Sequence, residues 1–595
     1  MLKKIILLIT SSIFLSTNVY AKPLEITLYF LPGYDSLKTT NVDTVSASQS
    51  KNKIIIGEVL KSNSSFQTVR SGPRGQQTSV FTRGTNSNST LFMINGSPVT
   101  DHSTSNGLFD AGVDSITYAG SVDLYKGSQS TLWGPNAVGG AINVNTGIAY
   151  EDSIEVTAAS NNTIGTGLTY SNILPTSGYS IKVHQQQSDG YSIVAGGEDD
   201  GYDYRTVNFD SEHLLSHGDL ATTIVYRESG ADLDGYGVDD TDYTADSRFY
   251  FVQARYSNPL FDFVIDRNVH DREYVNGSEL DTYDSETNHF KISHTNNFAD
   301  VKYTVGTDVS MYSAQFENRG SYNSSVDKSA DAVGYFINAD YKVSDWIFNT
   351  GIRLDTNTLH DDVITYRLGT GYEVNKNIML IAGANTGFRA PTLYEMYGAD
   401  NFGYTGNSNL EEERATTYEV GMVSQYKDEH SEMDSKFVIF STEIDNMIEY
   451  ANSTYTNTSG TSTMRGWELQ NTQKYDDTKI KFSITSVHAQ DSNNVQLTRR
   501  PQYSAVIGME HDVTDKFSIW YDWNYYGKHR DIHPSTFATV DREEQHYTDV
   551  GFSYKINGST ELLGTVTNVT DLTYERPMGY SQPGREFSLT LKYLF

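Results

Sequence analysis

The chain has no cysteine, which excludes disulfides and every chemistry that needs a thiolate. Beyond its first residues no stretch reaches the roughly 20 consecutive apolar residues of a membrane-spanning helix. Mean hydropathy is negative as well, so a helical membrane protein is excluded. Positive charge is scarce: 44 Lys and Arg face 75 Asp and Glu, a net charge of −31. Nucleic acid, which is bound by basic patches, is therefore not an expected partner. Sites for catalysis are also missing. There is no HExxH, no GxSxG elbow and no phosphate-binding loop, so no enzyme is expected. Two histidine pairs stand four residues apart, His213 with His217 and His529 with His533. On a helix each pair would share a face, but on a strand its members lie about 13 Å apart, too far to hold one ion. A secreted soluble protein and a β-barrel remain.

What is present favours the barrel. Lys3 and Lys4, the apolar run Ile5–Leu15 and Val19-Tyr20-Ala21 form a secretory signal over residues 1–21, with maturation near Lys22. From about Ala149 onward the chain alternates with period two between polar loops. In 219–227 Leu220, Thr222, Ile224 and Tyr226 alternate with Ala221, Thr223 and Val225. In 249–256 Tyr250, Val252, Ala254 and Tyr256 alternate with Phe251, Gln253 and Arg255. One set suits lipid and the other a lumen, and only a closed barrel satisfies every backbone group inside a membrane. The 42 tyrosines suit interfacial girdles. The last strand, EFSLTLKYLF, puts Phe587, Leu589, Leu591, Tyr593 and Phe595 on one face.

The stretch Phe81–Gly147 reads differently. Its apolar run Leu91–Ile94 stops at Asn95-Gly96, and an alternating run through Val122, Leu124 and Lys126 stops at Gly127. Three pieces of it, TRGT (Thr82–Thr85), LFMING (Leu91–Gly96) and the closing YKGS…WG…AVGGAINV, resemble the plug domain of TonB-dependent outer-membrane receptors. The resemblance implies an all-β membrane protein, a 22-stranded antiparallel transmembrane β-barrel with an N-terminal plug in its lumen. It divides the chain into a signal (1–21), a TonB-box segment and linker (22–38), a plug (39–148) and a barrel (149–595). The TonB box falls on Leu24, Glu25, Ile26, Thr27, Leu28 and Tyr29, which would add as a strand to TonB. A rival box, Val42–Ala47, is read instead as the first plug strand. Lys51–Ser62 is expected to form the short plug helix. The loops Ser71–Ser79 and Ser97–Asp110 match the plug apices that meet ligand, giving Arg74, Gln76, Gln77, Thr100, Asp101 and His102 as candidate contacts. A lone histidine such as His102 is more often solvated than a metal ligand. The terminal Phe595 resembles the signal read by outer-membrane assembly machinery.

The stretches Ser188–Asp203, Leu497–Ser504 and Thr567–Phe587 are similar to cobalamin receptors, whereas Thr386–Gly398 and Gly406–Met422 match TonB-dependent receptors at large. In the cobalamin receptors the first of these loops carries calcium-binding aspartates. Here Glu198 joins Asp199, Asp200 and Asp203 in one loop, and Asp232, Asp234, Asp239, Asp240 and Asp242 crowd the next. Calcium takes six to eight oxygens, so two converging loops could build a site, although the spacing is not that of an EF-hand. Ser192 stands where those receptors place an acidic residue, and Asp189 could substitute. The candidate calcium set is thus Asp189, Asp199, Asp200, Asp203, Asp232, Asp234, Asp239 and Asp240, with a solvated acidic surface as the competing explanation. The expected activity is uptake of cobalamin or a related corrinoid by a monomer in outer-membrane lipid, energised through TonB. A ferric-siderophore, haem or other metal-chelate receptor is the alternative, and a passive porin or adhesin barrel the alternative of another class.

Overall fold

A computed structural model describes residues 42–46 and 53–595, apart from 105, 106, 108, 114, 195, 236, 237, 321, 322 and 400–403. Short strands build the N-terminal unit: β1 (Val42–Ser46), β2 (Phe66–Arg70), β3 (Thr78–Thr82), β4 (Thr90–Ile94), β5 (Ser97–Pro98), β6 (Ser121–Lys126) and β7 (Gly140–Asn145). One sheet runs in the order β1-β6-β7-β4-β5, with β4 and β7 parallel, and β2 pairs with β3 beside it. The segment Val42–Ser46 is therefore the plug's first strand, as expected. Asn95 and Gly96 both adopt positive φ, 49° and 79°, the turn that suits a tight hairpin. Of the helix expected over Lys51–Ser62 only α1 (Ile56–Leu60) forms.

The sheet's apolar faces do not close on themselves. Ile56, Val59, Phe92, Val122, Leu124 and Ile142 share one buried cluster with Val225, Phe249 and Phe251. Those last three residues belong to the surrounding wall. A unit this small buries too little by itself, and the barrel completes its core.

The wall begins at β8 (Ser153–Ala159) and ends at β33 (Glu586–Leu594). It is a closed antiparallel barrel of 22 strands, sealed where β33 pairs with β8. Two further hairpins, β23–β24 (Ile448–Ala451 with Thr454–Asn457) and β29–β30 (His529–Ile532 with Thr539–Arg542), stand outside the barrel sheet. The alternation follows the sequence. Ile224, Tyr250 and Val252 are exposed to the outside, while Phe251, Gln253 and Arg255 are buried within. Phe587, Leu589, Leu591, Tyr593 and Phe595 all face outward. Turns at one rim are all short, two to four residues, and the longer loops, such as 189–201 and 568–585, lie at the other. In outer-membrane barrels these are the periplasmic and extracellular ends. Among the described residues no helix is long and apolar enough to cross a membrane.

Candidate functional site

At the extracellular end the plug offers two loops. In the first, between β2 and β3, Arg74 donates to Glu58 Oε1 at 2.8 Å and to the Tyr202 hydroxyl at 3.4 Å. Burial would raise the Glu58 carboxyl, but the Arg74 guanidinium beside it brings it down to about 2. Gln76 is buried and donates to the Asp232 carbonyl at 2.9 Å, tying this apex to an acidic barrel loop, while Gln77 is exposed. In the second loop Thr100 and His102 are half-buried. Asp101 is fully buried. It accepts from Ser103 N at 2.9 Å, pairs with Arg272 on the barrel strand Phe261–Asn276 and lies 3.6 Å from His270. Burial pushes its carboxyl up, yet Arg272 and His270 hold it below the usual range. Asp101 therefore anchors the apex to the wall. His102 stacks on Tyr312, ring centres 4.0 Å apart, and its backbone N–H donates to Ser285 Oγ. Burial lowers its imidazole to about 4 despite Asp101, so it is neutral near pH 7.

The acidic loops do converge. Asp189, Asp199, Asp203 and Asp232 line one cavity of about 620 Å³ together with Asp246. Asp234, Asp239 and Glu198 bring one carboxylate oxygen each within 4.8 Å of one another. Calcium–oxygen distances of about 2.3–2.6 Å accommodate oxygens that far apart across an ion. Asp200 and Asp234 are buried, yet Asp200 Oδ1, Asp234 Oδ2 and Glu198 Oε2 lack hydrogen-bond partners. Among the described residues none of the three forms an ion pair with Lys or Arg. The electrostatics follow. Burial, then the neighbouring Asp234, Glu198 and Asp232, push Asp200 up to about 7 although the Ile193 N–H opposes it. Asp234 is raised by burial, and Glu198 by its hydrogen bond to Asp239. Orphaned oxygens on buried carboxylates are the donor set a hard divalent cation requires, and these residues fit one. Asp240 lies next to the group, accepting from Asn276 and donating its own N–H to Asp234. Asp189 lines the cavity but stands apart from the Glu198–Asp234–Asp239 group: it accepts from Asn162 at 2.5 Å, and Ser192 donates within its own loop to the Val194 carbonyl.

Next to the His102–Tyr312 stack stands an aromatic wall that composition alone did not locate. Tyr394 stacks on Tyr404 at 5.0 Å and packs edge-on against Phe316, and Tyr283 and Tyr455 continue the group. Tyr394 belongs to α3 (Leu393–Tyr397), following α2 (Ser130–Trp133) in the plug. Thr392 and Glu395 form a capping box at the start of α3. Arg389 grips Glu395 at 2.9 Å and Glu413 at 2.8 Å, all three side chains being buried. Thr386–Gly398 and the acidic run after it thus brace an extracellular loop. The Thr-x-x-Glu spacing was the available signal.

Below the vestibule the plug is ionically fastened to the barrel. Arg83, in the TRG turn at φ 51°, donates to Glu468 through Nη2 (2.6 Å) and Nε (3.2 Å) and to Glu419 through Nη1 (3.0 Å). Its guanidinium lies 4.3 Å over the Phe440 ring, and Ser65 Oγ also donates to Glu468. Gly127 has φ 72°, and a Cβ there would sit 3.2 Å from both Arg83 Nη1 and Glu419 Oε1. Only glycine lets the chain pass this close. Leu24, Glu25, Ile26, Thr27, Leu28 and Tyr29, like the signal segment, lie outside the described residues.

Comparisons with known proteins match this anatomy. The sequence profile described as TonB dependent receptor-like, beta-barrel covers residues 149–569, and that of the TonB-dependent Receptor Plug Domain covers 35–141. The chain is 26% identical over 587 residues to a protein named Vitamin B12 transporter BtuB from Photobacterium profundum, covering 93% of this chain and 91% of that one. It is 25% identical over 582 residues to the protein of the same name from Vibrio cholerae, covering 90% and 89%. Among solved structures, the siderophore receptor PirA from Acinetobacter baumannii superposes with a TM-score of 0.79 at 13% identity, covering 95% of this chain and all of that one. The ferric enterobactin receptor PfeA from Pseudomonas aeruginosa gives 0.78 at 15%, covering 93% and 99%. These last likenesses concern the fold.

Proposed function

The chain belongs to the TonB-dependent receptor family of the Gram-negative outer membrane, and from that premise we propose that its cargo is cobalamin or a related corrinoid. The family makes it a TonB-coupled transporter rather than a passive barrel. The observation that carries the finer reading is the end-to-end match, across plug and barrel alike, to transporters named for vitamin B12. The vestibule supports it. Gln77, Thr100 and His102 present polar atoms from the plug apices, His102 as a neutral donor or acceptor. Arg74, Gln76 and Asp101 keep those apices in position. Beside the second apex stands the aromatic wall, since Tyr312, on which His102 stacks, packs in one cluster with Phe316, Tyr283 and Tyr394.

Calcium is part of the same reading. Glu198, Asp234 and Asp239 would supply its oxygens, with Asp199, Asp200, Asp232 and Asp240 close by. An ion there neutralises carboxylates that have no cationic partner and joins the two loops over the ligand site. Force then comes from TonB, which by this reading grips Leu24–Tyr29 and draws on the plug through the proton-motive force of the inner membrane.

Calorimetric titration of the purified receptor with cyanocobalamin, with and without calcium, tests both halves. Binding that weakens at least about tenfold on chelation, about 1.4 kcal/mol, supports ligand and ion together. Tight binding indifferent to chelation removes the ion. No binding in either condition turns the assignment to ferric siderophores, haem or other metal chelates. Deleting Leu24–Tyr29 is expected to abolish uptake while leaving binding unchanged.

A further inference from the structure

Among the described residues strand β1 lies at one edge of the plug sheet and pairs only with β6. A five-residue edge strand held by backbone hydrogen bonds alone could peel away and leave the rest of the plug undisturbed. This one carries a charge inward. Asp43 Oδ2 lies 2.5 Å from Lys126 Nζ, Asp43 Oδ1 lies 3.3 Å from Lys436 Nζ on the barrel, and Asn63 donates to the same carboxylate at 2.8 Å. Burial would raise the Asp43 carboxyl, but the two lysines hold it far below its usual range. Lys126 is completely buried, and its other carboxylate, Glu468 at 3.7 Å, is already held by Arg83. Arg83, Lys126 and Lys436 thus face Asp43, Glu419 and Glu468, and the group is neutral only while β1 is in place.

We propose that Asp43 is the residue that couples withdrawal of β1 to release of the plug from the barrel wall. When β1 leaves, Lys126 loses its nearest counter-charge and remains buried beside Glu468, where it competes with Arg83 for the nearer of the two carboxylates that fasten Arg83 to the wall. A buried ammonium without a partner is costly, so the loss of one strand becomes a fault in the main fastening. The position of Asp43 suits this role. It is the second residue of β1, paired with Leu124 and reaching diagonally to Lys126, so tension arriving from the N-terminal side reaches it directly after Val42. The inference rests on the reading that a periplasmic partner pulls on the chain ahead of Val42.

The test compares Asp43→Asn, Asp43→Glu and the double variant Asp43→Asn/Lys126→Gln in the full-length receptor. Amide hydrogen exchange on purified, ligand-free protein is expected to rise about tenfold in Asp43→Asn over both 42–46 and 81–85. In the double variant, which removes the buried Lys126 ammonium together with its partner and leaves two cations facing two carboxylates, exchange over 81–85 returns to the wild-type rate, and Asp43→Glu stays near wild type throughout. In cells the double variant is expected to bind ligand normally but to take it up about tenfold more slowly, because departure of β1 no longer disturbs Arg83. A rise confined to 42–46 in Asp43→Asn, or wild-type uptake by the double variant, overturns the proposal. A wild-type receptor that takes up no corrinoid overturns the substrate assignment alone, since the exchange arm needs neither ligand nor transport.

Discussion

Both the plug–wall contact and the acidic loops bury carboxylates, and their surroundings differ in kind. Around Arg83 every anion has a cation: Glu468 and Glu419 meet Arg83, and Asp43 meets Lys126 and Lys436. Around Asp234 the neighbours of a carboxylate are other carboxylates and backbone N–H groups. The first arrangement is complete within the chain. The second reaches charge balance only with protons or with a cation from outside. A receptor assembled this way keeps its internal fastening independent of the medium and makes its capture loops responsive to it.

The hardest blow to the comparison is Glu468→Ala, which leaves the buried Arg83 and Lys126 with one carboxylate each, Glu419 and Asp43, and opens a hole where the third stood. The expected loss is about 3–5 kcal/mol, read as a fall in the urea midpoint of the folded receptor. A loss below about 1 kcal/mol, the range of exposed pairs, would erase the distinction between the two regions. On the loop side, Asp234→Asn is expected to abolish any calcium dependence of ligand binding and to leave the urea midpoint within about 0.5 kcal/mol of wild type. A midpoint that moves as far as with Glu468→Ala would show the loops to be structural instead.

Acidity sharpens the contrast next. Asp200 is raised to about 7 from an ordinary 3.8, so the folded loop holds a proton that the unfolded loop releases. Without calcium, local stability of 189–201 is therefore present near pH 4 and lost as the pH climbs through about 7. Hydrogen exchange over that loop should accelerate across the window, and added calcium should flatten the slope. His102 has the opposite sign. Its pKa falls to about 4 on folding, so apex stability is present above about pH 6.5 and declines as the pH drops toward 4. The smallest expected effect is that of Tyr312→Ala, which removes the stack on His102 and loosens the apex by about 0.5–1.5 kcal/mol, seen as faster proteolysis of 97–110.

The barrel was readable because its physics is local and repeated. Tyr250 out and Phe251 in is a statement about neighbours in sequence, and closure only multiplies it. The plug was readable through its turns, Asn95-Gly96 and Gly127, where geometry permits few residues. The site was less so. Asp189 and Glu198 look equivalent as letters, yet the fold turns one toward Asn162 and the other toward Asp239, and loop conformation has no period to betray it. Asp101 reads as a polar loop residue, but Arg272, which buries it, lies 171 positions away. Nor could α1 be bounded, since Lys51–Ser62 carries Gly57 and a β-branched run in a context where tertiary contacts decide.

The seam between β8 and β33 has a consequence for the plug's route in and out. Thr157 and Thr590 meet there across 433 residues of chain, and the two strands flank a lumen already occupied by the plug. Once that seam is zipped the wall has no free edge and no gap in its side. From then on the plug can enter or leave only along the barrel axis, through an open end, and never sideways through the wall. Its core is completed by Val225, Phe249 and Phe251 of the wall, so the last of its packing is made only inside the barrel.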